Sequence, residues 1–438
     1  MLFRSYDGMA FYNTSLSKAA LMLGLGDKYA LNTLSRSKFT RDDLDSEEFL
    51  LYAKRDAFVT RRIGEYIQSQ HKSLGINTTI SAPHYAATVF KTHFLSTGVP
   101  LPDKSLEQAG LYSYHGGKNG FYLDGPTEFD GIHQYDIVSA YPEAMWQLPD
   151  IEKSSWDEVT KFMPGEHGIY RVTMEYNPCK YRGMQDHNGH WTEKGLIVDG
   201  WLTGYELQEI LDRHEGTVQH IAGFVLRGPE GGPLKDYVDK FFQVKRNSKG
   251  PERETAKLLL NSLYGKFFQK QPLGRVGAYN LDERRWVLSD PTSTYDYEAG
   301  GLYNPPIASL ITGFVRAKVH KLEHQYESVM TSTDGLFGYA PPIIEDLGTD
   351  LGKLTVVTGR LRIWRERLYI FDGNDGKRKF ALHGFHAGVT QLEEVPLARG
   401  EYLYEGQQMI TLKMSTIDQR KIRYSPGQFV KQTYTLRI

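Results

Sequence analysis

Cysteine is almost absent from this sequence: Cys179 is the only one in 438 residues. That excludes an internal disulfide and leaves nothing for a CxxC metal knuckle, which fits a reducing compartment. No stretch reaches the roughly 18 consecutive apolar residues of a membrane-spanning helix, so no membrane partner is expected. The opening Met1-Leu2-Phe3-Arg4-Ser5-Tyr6-Asp7 puts a charge where a secretory signal should be apolar, and a cytoplasmic location is expected. No GxxxxGK[ST] string occurs, which argues against a P-loop ATPase or helicase. Net charge is also lacking, at −1 from 52 Lys and Arg against 53 Asp and Glu, so the chain has no global basic footprint of the kind phosphate binding leaves.

What is present is core material and local charge. Apolar residues make up 40% and charged residues 24%, the balance of a globular chain, and the length calls for two or more subdomains. Between Phe241 and Lys270 lie Lys245, Arg246, Lys249, Arg253, Lys257, Lys266 and Lys270, against only Glu252 and Glu254. Between Arg360 and Lys379 lie Arg360, Arg362, Arg365, Arg367, Lys377, Arg378 and Lys379, against Glu366, Asp372 and Asp375. Two such tracts on a neutral body suit a cleft that tracks phosphates, although a charge run is often only a solvated face.

Residues 1–105 read as mostly helical, with Leu16, Ala19, Ala20 and Leu23 at helical spacing and a second helix near Glu47 to Ile67. Thr97-Gly98-Val99-Pro100-Leu101-Pro102 reads as a linker, and Tyr114-His115-Gly116-Gly117-Lys118-Asn119-Gly120 as an ordered loop with close backbone approach. Short strands over 121–138, a strong helix over 252–268, a small β excursion over 270–304, a helix from Ile307 to Tyr326 and a hairpin over 328–340 are predicted in turn, followed by a basic α+β tail.

Three strings carry chemistry. In Tyr135-Asp136-Ile137-Val138-Ser139-Ala140-Tyr141-Pro142, Asp136 stands where a strand ends and a helix opens. A carboxylate there can bind a hard cation with the Ile137 carbonyl beside it, though an Asp in that position is often only a turn former. In Lys257-Leu258-Leu259-Leu260-Asn261-Ser262-Leu263-Tyr264-Gly265-Lys266, the helical period sets Lys257, Asn261 and Tyr264 on one face and Leu259, Leu263 and Phe267 on another. The lysine could meet a triphosphate and the ring could stack under a base. In Val329-Met330-Thr331-Ser332-Thr333-Asp334-Gly335-Leu336-Phe337, a β-branched run, a tight turn and a second apolar run predict a hairpin with an aspartate at its tip. Two carboxylates from separate strands beside a basic helix are what phosphoryl transfer needs, since two cations about 4 Å apart can hold attacking and leaving oxygens.

The order and wording of these strings resemble the motifs of B-family DNA polymerases. Asp136-x-x-Ser139-x-Tyr141-Pro142 resembles motif A, Lys257-x-x-x-Asn261-Ser262-x-Tyr264-Gly265 motif B, and Thr333-Asp334 motif C. Tyr114-x-Gly116-Gly117 resembles the loop joining exonuclease and polymerase domains in the protein-primed, bacteriophage-type branch, and Pro305 to Thr312 the helix that precedes motif C there. The resemblance implies an α+β right-hand fold of palm, fingers and thumb. Its palm is built on an antiparallel sheet and preceded by a partial ribonuclease-H-like exonuclease domain. The implied bounds are 1–105 for the truncated exonuclease, 106–235 for palm with an insertion, 236–270 for fingers, 271–385 for palm with a small β insertion, and 386–438 for thumb.

It further implies that Asp136, Asp334 and the Ile137 carbonyl hold two Mg2+ ions, or Mn2+ in their place. Lys245 and Lys257 would contact the incoming deoxynucleoside triphosphate and Ser139 would position its phosphates. Asn261 and Tyr264 would shape the base-pair pocket, with Tyr141 under the sugar as a gate against ribose. Tyr114, Gly116 and Gly117, and Arg367 and Tyr369 with Lys379 in the manner of the Lys-x-Tyr motif, would hold primer-template DNA.

The sequence departs from the pattern in three places. Ser332-Thr333-Asp334-Gly335 stands where relatives commonly read Asp-Thr-Asp-Ser, and Arg367 stands where they carry lysine. Tyr52-x-x-x-Asp56 resembles the last proofreading motif, but the earlier exonuclease motifs are not found, and Asp45-Ser46-Glu47 lies too close to Asp56 to replace them. The implied function is a template-directed DNA polymerase without intrinsic proofreading, with a priming protein or a separate exonuclease subunit as further partners. A strand-initiating or template-independent polymerase of the same fold, and a non-catalytic nucleic-acid-binding relative, are the alternatives. Cys179 with His187 and His190 matches no familiar zinc finger spacing.

Overall fold

The computed structural model describes residues 11, 16–26, 46–272, 277–280, 285–288, 297–409 and 429–438. At its centre is a seven-stranded sheet in the order Lys118–Phe121, Ser328–Thr333, Gly335–Gly338, Thr127–Ile137, Leu354–Arg365, Leu368–Gly373, Arg378–Leu382. Every neighbouring pair in it is antiparallel. One cluster of its side chains, Ile132, Met330, Phe337, Leu361, Ile363 and Phe371, packs together. Tyr135, Ile137, Leu336 and Leu354 instead join the main core with the helices, as period-two alternation requires of a strand covered on both sides.

The helix Pro305–Gln325 is buried along nearly its whole length, because it lies against three other helices, Lys104–Ser113, Ala140–Gln147 and Gly204–Asp212, as well as the strand Ser328–Thr333. Its start is set by Asn304, whose side chain accepts from Ile307 N, and by proline in the first turn. Gly110 is what lets the helix Lys104–Ser113 come this close, since a Cβ there would sit 2.4 Å from Pro306 N.

A second sheet of four antiparallel strands, in the order Ser155–Val159, Gly216–Arg227, His167–Tyr176, Gly195–Thr203, has its own core of Tyr170, Val172, Met174, Leu202, Leu207 and Ile210. It is the folded form of the region between motif A and the basic helices. Those helices are Pro233–Asn247 and Gly250–Ser262, packed on each other. The long helix predicted over 252–268 is in fact two pieces, since regular α geometry ends at Ser262 and a 3-10 turn over Tyr264–Phe268 follows.

Among the described residues up to 105 only helices occur, Leu16–Met22, Glu47–Ser73 and Ala82–His93, with the start of Lys104–Ser113. The second runs a turn and a half beyond the predicted end because its buried stripe continues through Val59, Ile63, Ile67 and His71. The β excursion is present as the pairs Lys270–Pro272 with Tyr297–Ala299 and Gly277–Asn280 with Arg285–Leu288, and the tail as the hairpin Glu401–Met409 with Phe429–Arg437. Among the described residues no helix is long and apolar enough to cross a membrane.

Candidate active site

Asp136 lies at the end of the strand Thr127–Ile137, paired in register with Gly335 on one side and Thr355 on the other. The chain then turns through Ser139, held at φ 56°, into the helix Ala140–Gln147. Asp334 sits with Thr333 in the two-residue turn closed by the pairing of Ser332 with Gly335, and its carbonyl accepts from Ile137 N at 3.0 Å. The two residues predicted to act together are thus brought to the same end of the sheet's central strands by strand pairing.

The tight turn predicted here is present, and its positive φ falls on Thr333, at 61°. A β-branched residue there is a strained choice, and such outliers gather at functional sites. Gly335 serves a different need: a Cβ on it would lie 2.5 Å from Asp136 Oδ1 and 2.9 Å from the Tyr135 carbonyl. Burial and the charge of Asp136 hold the Asp334 carboxyl above its ordinary range.

Beside these acids opens a cleft of about 670 Å³ lined by Ile137, Ser139, Tyr141, Lys245, Lys257, Asn261, Tyr264 and Asp334, all predicted site residues. Arg246, Arg253, Phe242, Thr349 and Thr355 line it too and were not predicted. The signal for Arg253 was available, since it stands one helical turn before Lys257. Burial and the charges of Lys257 and Arg253 hold the Lys245 ammonium below its usual range, and it donates to Ser139 Oγ at 2.7 Å.

The predicted split of the motif B helix is found, with Leu259, Leu263 and Phe267 buried while Lys257 and Asn261 are exposed to the cleft. Tyr141 and Tyr264 stack with ring centres 4.1 Å apart and planes 3° from parallel. A second cleft, about 510 Å³ between Glu143, Tyr205, Lys318 and Asp346, holds none of the predicted residues.

The loop before the first sheet strand meets this site from the far side. Tyr114 stacks on Phe268 at 3.7 Å, and Gly117 passes so near that a Cβ would be 2.7 Å from Thr333 Cγ2 and 3.0 Å from Tyr141 Oη. Gly116 has nothing within 4 Å of the same position, so close approach explains only one of the two glycines. The loop is fastened by Arg316, whose guanidinium donates to the carbonyls of Ser113 at 3.3 Å and His115 at 2.6 Å. Arg316 also pairs with buried Glu206 at 2.7 Å.

The second basic tract behaves differently from the first. Arg360 pairs with Glu128, Arg362 and Arg378 with Asp372 and Glu393, Lys377 with Asp375, and Lys379 with Asp136. Most of its charge is therefore neutralised within the protein. Arg367 occupies the turn before Leu368–Gly373 at φ 55°, and the Tyr369 ring packs edge-on to Phe337 at 5.1 Å. Asp56 is half-buried on the helix Glu47–Ser73, a turn from Tyr52.

Comparison with known proteins agrees with this geometry. Residues 9–274 match the family described as DNA polymerase type B, organellar and viral. The DNA polymerase of Bacillus phage phi29 is 38% identical over 195 residues, 38% of this chain and 32% of the relative. A probable DNA polymerase of Agaricus bitorquis is 24% identical over 279 residues, 60% of this chain and 34% of the relative. The chain's matches thus span about a third of the length of these curated relatives. In the solved phi29 DNA polymerase complexed with primer-template DNA and incoming nucleotide, the fold superimposes with a TM-score of 0.70 at 19% identity over 99% of this chain and 79% of that one. The α+β right-hand polymerase architecture expected from the motifs is therefore the architecture present. With the family profile covering well over half of its residues, the chain belongs to the organellar and viral type B DNA polymerases.

Proposed function

We propose that this chain is a template-directed DNA polymerase that adds deoxynucleotides to a primer 3′ end by two-metal phosphoryl transfer. The observation that supports it most is that strand pairing sets Asp136 against Gly335, next to Asp334 at the tip of its hairpin, beside a cleft lined by Asp334 and walled by Lys245, Arg246, Arg253 and Lys257.

The donor set fits a pair of divalent cations. Two carboxylates and the Ile137 carbonyl are hard oxygen ligands, and the Asp334 carboxyl is raised by burial and then by the charge of Asp136, a repulsion that a cation would relieve. Asp136, Asp334 and the Ile137 carbonyl would hold two Mg2+ ions, or Mn2+, which would favour the primer alkoxide and offset charge on the attacking and leaving oxygens. The protein's own residues do the rest. Lys245, Lys257, Arg246 and Arg253 would neutralise the triphosphate, with Ser139 placed by Lys245. The parallel Tyr141 and Tyr264 rings form a flat floor for the nascent pair, and Asn261 offers an amide at its edge. Tyr114, Gly116 and Gly117 would border the template side, while Arg367, Tyr369 and Lys379 would contact the primer strand. In domain terms the seven-stranded sheet is palm, the helices over 236–270 fingers, and the tail over 386–438 thumb.

A primer-template extension assay with magnesium and deoxynucleotides tests this. Asp136→Asn and Asp334→Asn should each abolish incorporation and leave primer-template binding largely intact, whereas Lys257→Ala should raise the nucleotide requirement and lower the rate together. Either asparagine variant retaining most of its rate would refute the metal assignment. Within these 438 residues Asp56 is the one carboxylate matching a proofreading motif, so a mismatched 3′ end incubated with the chain alone should stay full length. Shortening that appears only with an added protein would indicate nuclease ligands supplied in trans.

A further inference from the structure

Cys179 does not meet His187 or His190 in the fold. His187 lies against Tyr112, with ring centres 6.2 Å apart, and His190 pairs with Asp186. Instead Cys179 meets Glu215 and His324, from three separate segments: the stretch after the strand His167–Tyr176, the turn before Gly216–Arg227, and the last turn of Pro305–Gln325.

Two of the three separations within this group are those of a coordination tetrahedron, and the third is about 0.3 Å longer. A zinc ion with Zn–S near 2.3 Å and Zn–N and Zn–O near 2.1 Å sets its ligand atoms about 3.3–3.6 Å apart. Here Glu215 Oε1 is 3.3 Å from His324 Nε2, Cys179 Sγ is 3.5 Å from Glu215 Oε1, and Cys179 Sγ is 3.9 Å from His324 Nε2. We propose that Cys179, Glu215 and His324 form a zinc site, with water as fourth ligand, that clamps the four-stranded sheet to the helix leading into the Asp334 hairpin.

The surroundings are those of a supported metal site. His320 Nε2 lies 3.3 Å from the other Glu215 oxygen and would orient the carboxylate, as outer hydrogen bonds do for metal ligands. The Asn177 amide donates to the Glu215 carbonyl at 2.7 Å, tying two of the ligand segments together. The Tyr181 ring stands edge-on to His324 at 4.9 Å. Thiolate, imidazole and carboxylate together suit a borderline-soft tetrahedral ion better than Mg2+, which wants six hard oxygens.

The test uses the full chain in an Asp136→Asn, Asp334→Asn background, so that metal proposed for the polymerase site does not contribute. Titration of zinc against a chromophoric chelator should give one equivalent per chain. Cys179→Ser and His324→Ala should each weaken binding at least about tenfold, while His187→Ala and His190→Ala should leave it unchanged. Cobalt(II) should show a thiolate charge-transfer band that Cys179→Ser removes. Cys179 is exposed, so its serine variant should fold, and its melting curve without zinc checks this. Zinc should raise the melting temperature of the parent and not of Cys179→Ser. No stoichiometric zinc, binding unaffected by either ligand substitution, or a cobalt spectrum without the thiolate band would overturn the site.

Discussion

Lys379 Nζ lies 3.2 Å from Asp136 Oδ2, an ion pair that reaches across the sheet from the strand Arg378–Leu382 to the end of Thr127–Ile137. The same ammonium donates to Gln134 Oε1 at 2.8 Å. A protein cation therefore sits on the carboxylate proposed to bind metal, and the two compete for it.

Lys379→Gln should lower the magnesium concentration that half-saturates incorporation. Both partners are about half exposed, at 41% and 47%, so the pair contributes only about 0.2–1 kcal/mol and the shift should be roughly 1.5–5-fold. If Lys379 also meets primer phosphate, the variant's affinity for primer-template should depend less on salt, its log–log slope falling by about 1. A higher magnesium requirement in the variant would mean that Lys379 orders Asp136 for the metal and does not oppose it.

Asp334→Asn should stabilise the metal-free protein while removing activity. Burial and the Asp136 charge raise the Asp334 carboxyl, so the folded chain holds that proton more tightly than the unfolded one. Stability consequently falls as pH rises from the ordinary carboxylate value through the raised one, and at neutral pH the ionised group is a cost. The asparagine variant should melt roughly 1–2 °C higher than the parent at neutral pH without metal, with the difference fading below the ordinary carboxylate range. Added magnesium should raise the parent's melting temperature more than the variant's. Equal melting of parent and variant at neutral pH would show that the repulsion is relieved some other way.

Much of the site was legible because its three strings are local. The strand end at Asp136, the split faces around Asn261 and the hairpin at Asp334 each follow from the periodicity of a few adjacent residues, and pairing of Asp136 with Gly335 then places them together. What was not legible depends on partners distant in sequence. The second basic tract reads like the first, yet Glu128 and Asp136 on the strand Thr127–Ile137 and Glu393 on the helix Val389–Glu393 neutralise most of it. Cys179 invites pairing with the nearby His187 and His190, but the fold delivers Glu215 and His324. The burial of Arg316 with Glu206 could not be read from either neighbourhood, since one lies on the helix Pro305–Gln325 and the other on Gly204–Asp212.

That last pair gives a stability prediction. Arg316 is 2% exposed and Glu206 6%, and the guanidinium also donates to His115 O and Thr312 Oγ1. Arg316→Met would leave a buried carboxylate uncompensated and should cost about 3–5 kcal/mol in denaturant unfolding. Adding Glu206→Gln should recover much of that loss, because the stranded charge is then gone. A single-variant loss under about 1 kcal/mol would mean that Glu206 finds water or another donor.

Tyr141 is fixed by two neighbours, the parallel Tyr264 ring at 4.1 Å and the backbone of Gly117, whose absent Cβ would come 3.0 Å from Tyr141 Oη. A ring held on both sides cannot swing away from a bulkier sugar, which is what exclusion of ribose by contact requires. Tyr141→Val should therefore admit ribonucleotides, with the deoxy-to-ribo ratio of incorporation efficiencies falling roughly 10–200-fold, the range that shape-based selection supplies. Gly117→Ala should lower the same ratio without removing the ring, since its methyl must displace Tyr141 or Thr333. Tyr264→Phe keeps the stack and should change the ratio little. The three variants can be compared in single-nucleotide extension with matched deoxy and ribo substrates. If Tyr141→Val and its parent show equal ratios, the ring is not the gate; if only Gly117→Ala keeps the parental ratio, the gate does not depend on its backing.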